Sequence, residues 1–511
     1  MKKEIELIEL LPKTKRYSFY NDLCTLANSE LFIFFKNKKL YIFNEKLLPK
    51  LKIIENSSFE KLFKNKRLSV NDLKNIKEVI SDLLKEVKQA KQITSDMRNK
   101  FDTNYKSPKT ELRLNISNYC TLNCKYCFQK EKNTQKLSIE KCYQQIDDFF
   151  KENPKLETIK ITMCMTSEPF IDLDYIRKVY IYIQQKCLNK LREETSQQDI
   201  FKFLGITSSE EFDQILEQRD YFKSAFSNMD KRFISEDLQS KLDYIQYCSN
   251  KNEVRAINQD VIYTAMSASK NMYYLWFTTN GTIKPNGENL RFIKELFSSS
   301  SLGVSIDGNY FNSKSRVYKN GKSSYTDVIN NIKFFQKEGI NLEAHCTITK
   351  RNNNFIHLIK FLEKQGFNKI HFSFEKGVYS EKIIRNIRKA FEAYKKGKIT
   401  NLYNLSIFLP YINGNLYAFT QCAAYNYKCI GYDNKQYFCD YFITKKNCKC
   451  FDINDITVYK RGPCINCSFK MICGGACIAL SNGDVNKVQL NACDFRKNHI
   501  KQTIFSFCDK D

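Results

Sequence analysis

The feature that most constrains this chain is the stretch 112–129, LRLNISNYCTLNCKYCFQ, where Cys120, Cys124 and Cys127 stand in a C-x3-C-x2-C frame. A short strand-like run, 112–116, leads into it, so the three thiols fall on one loop at a strand end. Three thiolates on one loop can hold three irons of a [4Fe–4S] cube and leave the fourth iron open. An open iron can chelate a small molecule through an amine and a carboxylate. The residue before the last cysteine is aromatic, Tyr126, and no proline stiffens the loop. A zinc knuckle or redox thiols use cysteines at similar spacing, but zinc sites usually draw on four ligands.

Length and composition bound what surrounds the loop. At 511 residues the chain exceeds one compact core, so about two to four domains are expected. A hydrophobic fraction of 42% with 14% aromatic can fill sizeable cores, which excludes a disordered composition. No apolar run reaches the roughly 18 residues of a membrane-spanning helix, so no membrane partner is expected. The N-terminal MKKEIELIEL mixes acidic residues into its apolar part and lacks a small-residue cleavage site, which reads against a signal peptide. The expected location is cytoplasmic, where twenty cysteines serve as ligands or core thiols rather than disulfides. The net charge of +26 invites a nucleic-acid reading. Its lysines are spread along the chain, however, with no RGG tract, stacking motif or dense basic tail. A solvated Lys-rich surface explains the charge better, and an acidic peptide partner comes next.

Residues 1–104 carry no C-x2-C or C-x3-C frame. Strands are expected at 31–35 and 40–43, followed by a helix over 73–87 capped by Asn71 or Ser69. That order fits a small winged-helix-like α+β module, which can bind an extended peptide as an added strand. A plain structural extension fits equally. From 111 to 374 the pattern alternates, with strands at 112–116, 158–163, 273–278, 302–306, 342–348 and 369–374. Helices between them include 137–150, 175–188, 325–337 and 355–365. This predicts an α/β fold with a parallel sheet, and six such units make a curved, partly open barrel. Ligands bind parallel sheets at the carboxyl ends of the strands, the end where the cysteine loop lies. Residues 192–268 are too long for an ordinary connection and read as a helical insertion.

With its aromatic residue before the third cysteine, the loop resembles the radical S-adenosylmethionine (SAM) enzymes, whose signature is C-x3-C-x-aromatic-C. The resemblance implies a partial (β/α)6 barrel over 105–400, with a SAM-binding [4Fe–4S] cluster on Cys120, Cys124 and Cys127. After the second strand the family usually shows Gly-Gly-Glu-Pro, and this chain has Thr166-Ser167-Glu168-Pro169. The Glu-Pro half is kept, and hydroxyls stand where a tight glycine backbone would grip SAM. An ordinary helix N-cap by Ser167 and Glu168 is compatible with either role. Similar family turns are FTTNGT, with Asn280, and VSIDG, with Ser305 and Asp307, followed by Arg316 in SKSRVY. The resemblance implies that Tyr126, Thr166, Ser167, Glu168, Asn280, Ser305, Asp307 and Arg316 surround the cofactor at the barrel mouth.

From residue 421 the cysteine density rises. Cys464, Cys467, Cys473 and Cys477 form C-x2-C-x5-C-x3-C, with Cys493 after them and Cys422, Cys429 and Cys439 before. This array, within 401–511, resembles the cysteine-rich SPASM domain of radical SAM maturases. Its glycine five residues before Cys439 is here Asn434, which also tolerates positive φ. By that resemblance Cys422, Cys429, Cys439 and Cys477 hold one auxiliary cluster, and Cys464, Cys467, Cys473 and Cys493 hold the other. The cofactors implied are three [4Fe–4S] clusters and SAM; two zinc sites are the competing reading. Cys448 and Cys450 are spare, while Cys24, Cys142, Cys164 and Cys346 read as core residues. Asp440 stands where an aspartate in the anaerobic sulfatase-maturating branch takes a substrate proton, though capping a helix or facing water suits it as well.

The function implied is that of a radical SAM oxidoreductase: SAM cleavage gives a 5′-deoxyadenosyl radical that oxidatively modifies a ribosomally made precursor peptide. The modification expected is a crosslink, thioether or carbon–carbon, with a flavodoxin or ferredoxin as reductant. Formylglycine formation in a sulfatase is the second reading. An Fe–S or zinc protein that binds nucleic acid is the third.

Overall fold

Apolar residues at every second position, Leu112 and Leu114, then Ile159, Ile161 and Met163, give these segments one wholly buried face, and both become strands. The computed structural model describes residues 31–36, 39–44, 109–129, 132, 135–155, 158–218, 236–245, 247–248, 250–269, 272–408, 422, 424, 426–443, 445, 462–465, 467, 473–475, 477–481, 484 and 490–508. Near the N-terminus β1 (Leu31–Lys36) and β2 (Lys39–Asn44) pair antiparallel, as the sequence predicts. The expected helix over 73–87 lies outside the described residues, as do its caps Ser69 and Asn71, the expected core residue Cys24 and the spare Cys448 and Cys450.

The central strands are β3 (Glu111–Leu114), β4 (Ile159–Met163), β5 (Tyr273–Trp276), β6 (Thr278–Thr279), β7 (Leu302–Ser305), β8 (Leu342–Ile348) and β9 (Lys369–Phe374). They pair in parallel as β3-β4-β5 and as β6-β7-β8-β9. The sequence predicts one strand across 273–278; the chain instead breaks at Phe277, with β5 bonded to β4 and β6 to β7. Aromatic packing holds the residue at the break. Phe277 is fully buried and meets Phe170 and Phe297 edge-on at centroid distances of 6.2 and 5.3 Å. Burying one such ring contributes about 1.5–3 kcal/mol.

Helices α1 (Ile139–Glu152), α2 (Leu173–Glu194), α7 (Gly287–Leu296), α8 (Tyr325–Lys337), α9 (Phe355–Lys364) and α10 (Glu381–Lys395) alternate with the strands. The side chain of Ser138 caps α1 by accepting from the Lys141 N–H. The long connection before β5 is helical, with α3 (Gln197–Leu204), α4 (Ser209–Glu217), α5 (Glu236–Ile245) and α6 (Lys251–Ser269). It shares the main core through Leu216, Val261 and Ala265, all fully buried. Asn258 ties α6 to the end of α4, donating to the carbonyls of Leu216 at 3.0 Å and Gln218 at 3.1 Å. No described helix is long and apolar enough to cross a membrane.

Two features of the C-terminal region were not foreseen from the sequence. Strand β10 (Tyr427–Ile430) adds in parallel to the free edge of β3, with Cys429 opposite Arg113, and β11 (Gln436–Tyr437) closes a hairpin on it. Asn434 in that hairpin has φ +63°, the conformation its glycine-like position calls for. The last helix, α11 (Leu490–Cys508), packs on α10, with Phe495 against Phe374 and Tyr379 at 5.2 Å each. His499 on α11 bonds the Leu405 carbonyl at 2.8 Å, and burial pushes its pKa down to about 4, so it is neutral packing.

Gly281, just after β6, has φ +76°, and a Cβ there would lie 3.0 Å from Val304 Cγ1 and 3.2 Å from Val328 Cγ1. Gly281→Ala is therefore expected to cost about 1–3 kcal/mol, read as a lowered thermal unfolding midpoint. An unchanged midpoint would refute this account of the turn.

Candidate functional site

The cysteine loop leaves the carboxyl end of β3 and is stitched to the segment after β7. Asn123 N–H donates to the Val317 carbonyl at 2.7 Å and Lys125 N–H to the Ser315 carbonyl at 3.0 Å. The thiols of Cys120, Cys124 and Cys127 are half-buried. Cys120 Sγ accepts from Leu122 N–H at 3.5 Å and from Asn280 Nδ2 at 3.4 Å. Burial pushes the Cys120 and Cys124 thiols up; the Glu168 carboxylate adds to this at Cys120, and Arg316 opposes it at Cys124. A metal centre binds thiolates, so ligation here displaces protons. Three thiols on one loop, with N–H donors already aimed at a sulfur, suit an iron–sulfur cluster.

Beneath the loop lies a buried ionic cluster. Tyr126 Oη donates to Asp307 Oδ2 at 2.5 Å, and Arg316 Nη1 donates to Tyr126 Oη at 2.7 Å. Arg316 Nη1 stands 4.0 Å from Asp307 Oδ1, which accepts the Thr347 N–H at 2.9 Å. Asp307 is 0% and Arg316 6% exposed. The sequence places these two at the rim of the mouth. In the fold both are buried under the cysteine loop, joined by the Tyr126 phenol and the Thr347 amide. Burial pushes the Asp307 carboxyl up, while Arg316, Tyr126 and Thr347 pull it down.

On the other side of the loop Glu168 plays a matching part. Its Oε1 accepts from Thr279 Oγ1 at 2.6 Å and Phe170 N–H at 3.1 Å, and its Oε2 accepts from Asn280 N–H at 2.6 Å. Burial pushes its carboxyl up to about 7, against these donors. Glu168 N–H in turn donates to the Tyr119 carbonyl at 2.9 Å, joining the turn after β4 to the cysteine loop. Thr166 Oγ1 donates to the Ser117 carbonyl at 2.8 Å. Cys164, first residue of this turn, takes φ +60°, so the left-handed backbone falls on a buried cysteine. Ser167 and Ser305 are half-buried.

The C-terminal cysteines fall into two neighbourhoods. Cys439 is pushed up to about 12 by burial and Asp440, with Cys477 and Cys422 adding to it; Cys439 in turn acts on Cys429. Cys493 is pushed up by burial and feels Cys467 and Cys473, while Cys464 accepts the Cys467 N–H on its carbonyl at 3.0 Å. Arg496 Nε donates to Cys473 Sγ at 3.2 Å.

Asp440 is 7% exposed. Its Oδ2 accepts from Arg113 Nη1 at 2.9 Å and its Oδ1 from Asn115 Nδ2 at 2.7 Å. Arg113 also donates to Glu111 at 2.7 Å and lies over the Tyr427 ring at 3.7 Å. Sequence reasoning missed Arg113, Asn115, Thr279 and Thr347. Arg113 alternates with apolar residues inside β3, which is the one signal that could have drawn notice.

No protein-family model matches the sequence, and no curated protein matches it. Solved structures do. One is anSMEcpe with bound AdoMet and Cp18Cys peptide, at 15% identity over 77% of this chain and 97% of that chain, TM-score 0.47. Another is Streptococcus suis SuiB bound to S-adenosylmethionine, at 15% identity over 87% of each chain, TM-score 0.40. SuiB bound to precursor peptide SuiA is similar at 13% identity over 85% of this chain and 83% of that one, TM-score 0.38.

Two predictions follow from the buried acids. Arg316→Met leaves Asp307 without its counter-charge and is expected to cost about 3–5 kcal/mol in denaturant unfolding. Adding Asp307→Asn should recover part of that loss; strictly additive effects would show that the two groups do not interact. For Glu168, a folded pKa near 7 against 4.5 unfolded stabilises the fold fully below pH 4.5, and this stability is lost as pH rises towards 7. The wild type should lose about 3 kcal/mol more across that window than Glu168→Gln. Parallel pH profiles for the two proteins would overturn the assignment.

Proposed function

We propose that this protein is a radical SAM peptide maturase with a partial (β/α)6 barrel, a SPASM-like cysteine array and an N-terminal peptide-recognition module. The observation that carries the reading is the C-x3-C-x-aromatic-C loop, held at the carboxyl ends of the strands by Tyr126–Asp307–Arg316 on one side and Glu168–Asn280 on the other. Cys120, Cys124 and Cys127 would hold the open [4Fe–4S] cluster. Cys422, Cys429, Cys439 and Cys477 would hold one auxiliary cluster, and Cys464, Cys467, Cys473 and Cys493 the other. When bound, the open cluster and SAM supply a 5′-deoxyadenosyl radical that removes a hydrogen atom from substrate.

The chain's own residues do the rest. The Tyr126–Asp307–Arg316 cluster and the backbone bonds of Asn123 and Lys125 hold the loop that carries the three sulfurs. Asn280 and Leu122 donate to Cys120 and tune its charge. Thr166, Ser167 and Glu168, on the turn after β4 that Glu168 N–H ties to the Tyr119 carbonyl, would contact the bound SAM. A precursor peptide is the substrate proposed, with an oxidative thioether or carbon–carbon crosslink as product and a flavodoxin or ferredoxin as reductant.

Formylglycine formation is the second reading, and it rests on Cys439-Asp440. Both carboxylate oxygens of Asp440 are engaged by Arg113 and Asn115, which favours a structural part for it and so the first reading.

Anaerobic co-expression with the short open reading frames flanking the gene tests the proposal by mass spectrometry. A peptide lighter by two hydrogens is expected with the wild type, and none with Cys124→Ala, which should also reduce deoxyadenosine release to background. Deoxyadenosine formed with every peptide mass unchanged would remove the crosslink. Loss of turnover in Asp440→Asn, with stability and iron content kept, would move the assignment to formylglycine chemistry.

A further inference from the structure

Strands β8 and β9 place a second set of ligand-type side chains away from every cysteine. Glu343 and His345 are two apart on β8 and so share a face, and His371 on β9 stands directly opposite His345 in the register. The other face of these strands, Leu342, Ala344, Cys346 and Ile348 with Ile370 and Phe372, is in the hydrophobic core. Two of the chain's four histidines therefore meet one buried glutamate on the face that the core leaves open.

The geometry is close to that of a chelate. His345 Nε2 lies 3.0 Å from Glu343 Oε1, and His371 Nε2 lies 3.8 Å from Glu343 Oε2. One ligand atom from each of the three residues falls within 4.8 Å of the other two. A tetrahedral centre with bonds of about 2.1 Å spaces its donors about 3.4 Å apart, and the two measured separations bracket that value. The imidazole rings stack at 4.9 Å with 27° between their planes, so both Nε2 atoms are turned to the same carboxylate. Glycine at 303 makes room for this: a Cβ there would lie 3.2 Å from the His345 ring. Exposure is graded, with the side chains of Glu343 at 11%, His345 at 27% and His371 at 48%. The carboxylate is sheltered while the imidazoles remain open to an entering ion.

We propose that Glu343, His345 and His371 form a binding site for a divalent first-row cation, zinc foremost, with at least one coordination position left for water or a substrate donor. Two imidazoles and one carboxylate on adjacent strands are a donor set such ions accept, and a hard cation such as magnesium would not select it. The site does not depend on the radical reading. Along β8 it precedes Thr347, whose N–H reaches Asp307 under the cysteine loop, so it lies on the same strand as the cradle, towards the opposite end.

The test uses the full-length chain with its iron–sulfur centres reconstituted anaerobically, equilibrated with zinc chloride and passed over a chelating resin. Wild type is expected to retain one more zinc per chain than His371→Ala or Glu343→Gln, with affinity at that site weakened at least about 100-fold in either variant. His371 is half-exposed, so its replacement leaves the fold intact, which unchanged circular dichroism and iron content would verify. Zinc absorption-edge spectroscopy on the wild-type excess should show nitrogen and oxygen ligands with imidazole scattering. Equal zinc in wild type and both variants, or a sulfur-only shell, overturns the proposal and leaves a hydrogen-bonded His–Glu–His cluster.

Discussion

The arrangement depends on one buried carboxylate. Asp307, at the end of β7, has no solvent and is tolerated only because Tyr126, Arg316 and the Thr347 amide surround it. An isolated buried charge costs several kcal/mol, whereas a paired and hydrogen-bonded one roughly breaks even. The constraint therefore runs outward. Tyr126 must sit over Asp307, which fixes Cys124 and Cys127 on either side of it, and Arg316 must follow, which draws the 315–318 segment against the loop.

Glu168 repeats the device from the other flank. Its carboxylate collects donors from Thr279, Asn280 and Phe170, so the ends of β4 and β6 close on each other, and Asn280 then reaches Cys120. The cysteine loop is thus gripped by two buried acids rather than by apolar packing. Polar grips have strong directional demands, which suits a loop proposed to carry cluster ligands. A third acid, Asp440, carries the same logic to β10, where Arg113 and Asn115 of the β3 edge bind the C-terminal cysteine region to the sheet.

Much of this was legible in advance, for reasons that can be named. Strands at 342–348 and 369–374 and the helix over 325–337 come out with those bounds, because alternating or three-and-four spaced apolar residues were enough to define them. Asn434 adopts positive φ because its place in a tight hairpin demands it. Tyr126, Glu168, Asn280, Asp307 and Arg316 each drew notice as isolated turn or motif residues. Their mutual bonds were not legible, since 190 positions separate Arg316 from its phenol partner and 112 separate Asn280 from its carboxylate.

The sequence by itself determined the chemistry on offer: three thiols at one strand end, a second cysteine array near the C-terminus, and strands alternating with helices between them. Local spacing and periodicity carry that information. Tertiary structure alone decided which polar groups are satisfied by one another. It joined Asp307 and Arg316 through Tyr126, broke the third strand at Phe277, laid β10 beside β3, and brought His371 over to Glu343 and His345. For the polar groups the physical reason is shared: burial makes an unpaired charge or donor expensive, and only the folded chain brings its partner within reach.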